Sequence, residues 1–272
     1  MLTLVPTPLG NLSDISFRIL ETFSKTDIFF CEDTRVTKHL LALLKQRLGL
    51  EIPSNVRFVS FHSHNAEERL AEYKHLLETR RCVYVSDAGM PGISDPGREL
   101  VSFCRQNGIA YDVIPGPSAV TVAYAASGFD SGHFLFRAFL PHKGKERKEA
   151  LLSVLQSGYD TVLYEAPHRL LKLLEEIVSY DEQRELFLAK EISKAHQRYY
   201  RGAATELLKQ LSQETIRGEW CVVIRGKCDS TQPVLHMHEI EAMDLPPKIK
   251  AKLLAKMTGE PVKVWYGRLG RT

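Results

Sequence analysis

Along the first 117 residues, short apolar runs rich in β-formers alternate with longer stretches in which apolar positions recur at helical spacing between charged ones. The runs Leu2 to Pro6, Ile28 to Cys31, Val56 to Phe61, Cys82 to Ser86 and Tyr111 to Pro115 predict strands. Thr37 to Leu48, Ala66 to Thr79 and Arg98 to Asn107 predict helices. Strand and helix in alternation build right-handed βαβ units and a largely parallel sheet. A second series runs from His133 to Lys227, with strands at Phe134 to Phe139, Thr161 to Glu165, Leu186 to Lys190 and Trp220 to Ile224. Its helices fall at Lys145 to Gln156, Arg169 to Val178 and Ala204 to Leu211.

The expected fold class is therefore α/β, with two α/β domains built on mainly parallel sheets, over residues 1–117 and 118–227, joined near Pro117 to Gly128. The pattern lapses from Lys227 to Gln232, which marks a linker. Pro247 to Thr258 and Pro261 to Leu269 are short helical patterns around a Gly-containing turn. Residues 228–272 thus read as a linker and a small basic helical C-terminal extension, compatible with a helix-turn-helix.

Composition narrows the class. With 44% hydrophobic and 25% charged residues over 272 positions, the chain has the balance of a soluble globular protein and room for two cores. No apolar run approaches the roughly 20 residues of a membrane span, and Met1 leads straight into an apolar run without a basic signal region, so a cytoplasmic location is expected. The five cysteines are scattered and form no Cys-x-x-Cys pair, which argues against a disulfide framework or a zinc ribbon. A net charge of +3 does not announce nucleic-acid binding. Its distribution is more telling: from Pro246 to Thr272 there are seven Lys or Arg and one acid, Glu260, which by itself reads as a solvated basic tail.

Glycine and proline gather where strands should end. Pro6 to Asn11 follows the first strand, Ser86 to Gly97 the fourth, and Pro115 to Ala119 the fifth. In an open parallel sheet, ligands bind at the carboxyl ends of the strands. Any one of these loops is an ordinary tight turn; three rigid loops on one rim point to a ligand. Neither a G-x-x-x-x-G-K-[ST] nor a G-x-G-x-x-G pattern is present, which disfavours nucleotide hydrolysis and ordinary dinucleotide binding.

Six segments together carry a family resemblance: Pro6 to Leu12, Cys31-Glu32-Asp33-Thr34-Arg35, the S-D-A-G-x-P-G-I-S-D-P-G loop from Ser86 to Gly97, Pro115 to Ala119, Phe139-Leu140-Pro141, and Tyr164 to Arg169. In that order they resemble the ribosomal RNA small subunit methyltransferase I family, a branch of the tetrapyrrole-methylase-like class, over about residues 1–226. The resemblance implies S-adenosyl-L-methionine folded in a cleft between two domains, a homodimer, and methylation of a cytidine 2′-hydroxyl in the decoding region of 16S ribosomal RNA in the small subunit. Carried over by position, it places Leu9, Gly10, Asp87, Ala88, Gly89, Ile93, Pro115 and Ser118 around the cofactor, closed by Tyr164, Ala166 and Ala189. Met90 stands where the family has Thr, and Ala166 where many members have Ser.

A ribose hydroxyl is a poor nucleophile, so a nearby base or cation would help it. Glu165 or Asp33 is the favoured proton acceptor, with Lys190 or Arg35 as electrostatic support; Glu32 and His168 lie in the same loops. Glu32-Asp33-Thr34 is equally a sound helix N-cap with Arg35 as its partner. Phosphate contacts are expected from Lys143, Lys145, Arg147, Lys148, Arg169, Arg198 and Arg201. His62-x-His64 and His236-x-His238 offer two ligands each without a third, so no metal is expected. The rival readings are a methyltransferase of the same class acting on a tetrapyrrole or a protein side chain, and a non-catalytic RNA-binding ribosome-assembly protein.

Overall fold

Five short strands, β1 (Leu2–Leu4), β2 (Ile28–Cys31), β3 (Arg57–Ser60), β4 (Cys82–Val85) and β5 (Tyr111–Val113), form a wholly parallel sheet in the order β3-β2-β4-β1-β5. Every residue of β1, β2 and β4 is buried, because helices cover both faces of the sheet. Side chains from α1 (Phe17–Ser24) and α2 (Thr34–Leu48), among them Phe23, Leu41 and Leu44, pack on one face against Val5, Phe29, Val83 and Val85. On the other face α3 (Ala66–Thr79) and α4 (Gly97–Gln106) bring Leu77, Leu100 and Cys104 against Leu2, Leu4, Phe30 and Tyr84. These facts come from a computed structural model that describes residues 1–61, 66–227 and 237–270, the side chains of residues 66–69 apart.

The stretch Pro117 to Gly128, expected to be a joint, contains a helix, α5 (Ala119–Ser127), which ends on Gly128 in the left-handed conformation at φ 62°. It covers one face of a second sheet, with Val120 and Ala123 against Val162, Phe187 and Val223. That sheet comprises β6 (Phe134–Phe139), β7 (Asp160–Glu165), β8 (Glu185–Lys190), β9 (Arg198–Ala203) and β10 (Trp220–Ile224), in the order β6-β7-β10-β8-β9. Its far face is packed by α6 (Gly144–Leu155), α7 (Pro167–Val178) and α8 (Ala204–Leu211) through Leu151, Leu173, Leu207 and their neighbours.

The α/β class is as the sequence predicts, but the second sheet is a correction: only β6 and β7 run parallel, and β7–β10, β10–β8 and β8–β9 are antiparallel. The cause is β9, which the sequence reading passed over because Arg198, Tyr199 and Arg201 leave it polar; only Tyr200 is buried there. That one additional strand reverses the chain after β8. Helix α8 then returns β10 head-down into the gap between β7 and β8.

Residues Met1–Lys227 form one compact unit and Cys228–Thr272 another. The second holds three helices, α9 (Met237–Ala242), α10 (Pro247–Thr258) and α11 (Val262–Leu269), around Ile240, Ala251, Leu254 and Trp265. Proline opens both α10 and its successor's cap, Gly259 at φ 75° ends α10, and Trp265 Nε1 donates to Thr258 Oγ1 at 2.8 Å. The expected linker after Lys227 lies largely outside the described residues.

Candidate active site

The long loop after β4 holds its own shape. The Asp95 carboxylate accepts from Gly92 N at 2.9 Å and from Gly97 N at 2.8 Å, which closes the turn over the start of α4. Gly89 and Gly92 sit at φ 78° and 83°, where a side chain would strain the backbone. Thr7 and Gly89 exchange both backbone hydrogen bonds at 3.0 Å, tying the loop after β1 to the loop after β4. A second tie joins the loops after β2 and β4: Glu32 Oε2 accepts from Asp87 N at 3.2 Å, and Asp87 Oδ1 accepts from Asp33 N at 3.0 Å.

These loops form one side of a cavity of about 420 Å³, within the range of about 300–1,000 Å³ for small-molecule sites. Its other side is the rim of the second sheet, where β7 and β8 end and β10 begins. Among the described residues that line it are four carboxylates, Glu32, Asp95, Glu165 and Glu219, and no Lys, Arg or His. Such a wall suits a cationic ligand and repels a phosphate. Burial pushes the Tyr164 hydroxyl well above its ordinary range, and burial followed by the Glu219 charge pushes the Cys221 thiol up to about 12. Both groups stay protonated at neutral pH.

Of the expected cofactor residues, Leu9, Ala88, Gly89, Ile93, Ser118, Tyr164, Ala166 and Ala189 meet on this wall. Gly10, Asp87 and Pro115 do not line it. Gly10 lies against the stem of Lys194, where an added Cβ would stand 2.1 Å from Cγ. Asp87 is the inter-loop tie, and Pro115 is exposed.

Both favoured bases have partners of their own. Glu165 borders the cavity, but its side chain is only 1% exposed and its oxygens are engaged: Arg169 Nε lies 3.0 Å from Oε1, and Arg147 Nη2 donates to Oε2 at 3.3 Å. Asp33 is the N-cap of α2, accepting from Arg35 N at 2.8 Å. The Arg35 guanidinium, then that backbone bond, bring the Asp33 carboxyl down to about 2, too weak a base for a hydroxyl. Arg35 is spent on this pair. Lys190 stands with Nζ 5.5 Å from the Trp220 ring centre, has no ion pair with a described residue, and so remains the available cation beside the wall.

Among the expected RNA contacts, Lys143, Lys145, Lys148 and Arg198 are exposed. Arg147 is not available to phosphate: it is 2% exposed and held by Glu165 and Glu176. Arg169 donates to the Leu140 and Pro141 carbonyls, and Arg201 to Glu185 and the Ser127 carbonyl. His62, His64 and His236 lie outside the described residues, among which no three potential ligands gather. No helix among the described residues is long and apolar enough to cross a membrane. The sequence reading missed Phe139, Ile192, Glu219 and Trp220 as wall residues; the Phe139-Leu140-Pro141 motif was the one signal for any of them.

The sequence profile of the tetrapyrrole (corrin/porphyrin) methylases matches residues 1–208. The chain is 45% identical to the ribosomal RNA small subunit methyltransferase I of Campylobacter fetus subsp. fetus over 99% of each chain. It is 41% identical to the protein of that name from Thermotoga maritima, where 83% of this chain covers 98% of a shorter one. Among solved structures, cobalt precorrin-4 methyltransferase superposes with a TM-score of 0.60 at 15% identity, over 82% of this chain and 94% of that one. Uroporphyrin-III C-methyltransferase of Thermus thermophilus, complexed with S-adenosyl homocysteine, gives 0.56 at 14% identity over 82% and 96%. These last two are likenesses of fold.

Proposed function

The chain belongs to the tetrapyrrole methylase family and, within it, groups with ribosomal RNA small subunit methyltransferase I; from that premise we propose that it methylates the ribose 2′-hydroxyl of a cytidine in the decoding region of 16S ribosomal RNA, using S-adenosylmethionine. The observation that carries the cofactor is the anionic cavity at the strand ends. A positively charged ligand of this size fits a wall with carboxylates and no basic side chain, and a dinucleotide does not. The relatives' names supply the RNA.

When bound, S-adenosylmethionine supplies a methyl group on a sulfonium, open to in-line displacement. The chain's own residues do the rest. Leu9, Ala88, Gly89 and Ile93 would hold it from the first sheet's loops, with Ser118 between, and Tyr164, Ala166 and Ala189 from the second sheet. Closing the site between two rims excludes water and fixes the approach of the acceptor. With Glu165 and Asp33 set aside, Asp95 closing its own loop and Glu219 paired with Lys194, Glu32 is the proton acceptor on the wall, and Lys190 supplies positive potential to the developing alkoxide.

The same reading assigns three functional parts, residues 1–117, 118–227 and 228–272, with the exposed cations Lys143, Lys145, Lys148 and Arg198 steering RNA. The enzyme works as a cytoplasmic homodimer on the small ribosomal subunit. An unpaired edge strand, β5, with Tyr111, Val113 and the 92% exposed Phe17 nearby, favours self-association.

The test is transfer of labelled methyl from S-adenosylmethionine to small subunits that lack the modification, followed by nuclease mapping. Label in a 2′-O-methylcytidine is expected. Measurable cofactor binding without any label in RNA would overturn the reading.

A further inference from the structure

Phe139 ends β6, borders the cavity and is 52% exposed. The backbone is bent to put it there. Phe134, Leu135 and Phe136 pair in step with Asp160, Thr161 and Val162, but the next pair is Phe139 with Tyr164, so one extra residue is inserted in β6. Simple alternation would turn Phe139 away from Phe136; the bulge turns it onto the same face, where Phe136 and Phe139 lie 5.1 and 5.6 Å from the Tyr164 ring. Ala138 takes φ 48° at the bulge, a conformation unfavourable for a residue with a side chain. Strain of this kind persists where the surroundings enforce it, and it gathers at functional sites.

The surroundings here are charged and buried. Glu165 holds Arg147 and Arg169, and those two guanidiniums donate to the carbonyls directly after Phe139: Arg169 to Leu140 O at 2.8 Å, Arg147 to Pro141 O at 3.2 Å. The exposed Lys143, Lys145 and Lys148 follow within the next nine residues. An aromatic face kept out of the core, anchored from below and flanked by cations, is what an unstacked nucleotide requires: a π surface for its base and positive charge for its phosphates. A ribose hydroxyl reaches an enclosed cavity only when its nucleotide has left the helical stack.

We propose that Phe139 is the stacking platform for the nucleobase whose ribose enters the cavity, with the Glu165–Arg147–Arg169 cluster acting as its positioning frame. This rests on the RNA-methyltransferase reading above. It makes Phe139 a determinant of RNA affinity and leaves cofactor affinity to other residues.

The test compares wild type with Phe139→Leu and Phe139→Trp, measuring S-adenosylmethionine binding by calorimetry and label transfer to unmodified small subunits. Phe139→Leu should lower kcat/KM for RNA about 10- to 100-fold, mainly through KM, with cofactor affinity within about twofold, and Phe139→Trp should restore most of the loss. Wild-type rates with Phe139→Leu, or an equal loss of cofactor binding, would overturn the stacking role alone. A wild type that binds cofactor and labels no RNA would overturn the functional reading instead.

Discussion

Glu165 and Arg147 meet inside the second sheet's packing, 1% and 2% exposed, with Arg147 Nη2 3.3 Å from Glu165 Oε2. Glu176 shares the same guanidinium through Nε at 2.8 Å, and Arg169 shares the same carboxylate. A carboxylate held between two arginines has its oxygens occupied, which is the opposite of what a general base needs.

Glu165→Gln removes one partner from a buried ionic group and should lower unfolding free energy by about 2–4 kcal/mol, read as a fall in Tm. Turnover by the folded fraction should fall less than about tenfold in kcat, against the roughly 10²–10⁴ expected for loss of a general base. A larger loss in kcat at unchanged Tm would return Glu165 to catalysis.

Asp33 gives a cleaner pH argument. Arg35 lowers its carboxyl from 3.8 to about 2, so the folded state prefers the ionised form. That preference is complete above the ordinary value and disappears only as pH falls through about 2, so Asp33 adds no limb to a rate profile between pH 6 and 9. Asp33→Asn keeps the acceptor that caps α2 and should hold turnover within about threefold of wild type. A hundredfold drop with cofactor binding intact would restore Asp33 as the base.

The first sheet was legible because its central strands β2 and β4 are apolar throughout and its loops carry Gly and Pro at fixed places; Leu9, Gly89 and Ile93, carried over from the family resemblance, line the cavity beside those loops. The second was read with the wrong direction. Trp220 pairs with Glu165 on one side and Lys190 on the other, so the start of β10 lies on the same rim as the ends of β7 and β8. A parallel β10 would put Trp220 and Glu219 at the opposite rim, which is why neither was anticipated. The buried arginines were misread for a different reason: a long charged side chain in a helical pattern reads as solvated, and its partners Glu165 and Glu176 are 18 and 29 residues away.

Glu32→Gln tests the carboxylate proposed as proton acceptor. Its Oε2 accepts from Asp87 N, a bond the glutamine oxygen keeps, so the loop tie survives. A fall in kcat of about 10²–10⁴ with cofactor Kd nearly unchanged is expected from loss of the proton acceptor. An unaltered kcat would remove Glu32 from the mechanism.

Cys221 lines the cavity, yet burial raises its thiol to about 12, so almost no thiolate exists at pH 8. Cys31, Cys82 and Cys104 are buried and raised to about 11 by the same cause. Native protein treated with iodoacetamide at pH 8 should therefore leave all four unmodified by mass spectrometry. Rapid alkylation of Cys221 would show a more open and more polar wall than the one described.

The small helical unit makes a prediction in salt. Lys248, Lys252 and Lys256 recur every fourth residue along α10, are exposed, and form no ion pair with a described residue, so they present one cationic stripe. The Thermotoga maritima relative bears the same name in a shorter chain, so a contribution to affinity rather than to chemistry is expected of residues beyond the shared length. Replacing all three lysines by Gln should leave kcat at saturating RNA and cofactor Kd unchanged. It should raise KM for small subunits and reduce the slope of log affinity against log salt by about 2 to 3, since each phosphate contact contributes about 0.7 to 0.9. An unchanged slope would mean that the stripe faces solvent in the complex, and the RNA contacts would then rest on Lys143, Lys145, Lys148 and Arg198 alone.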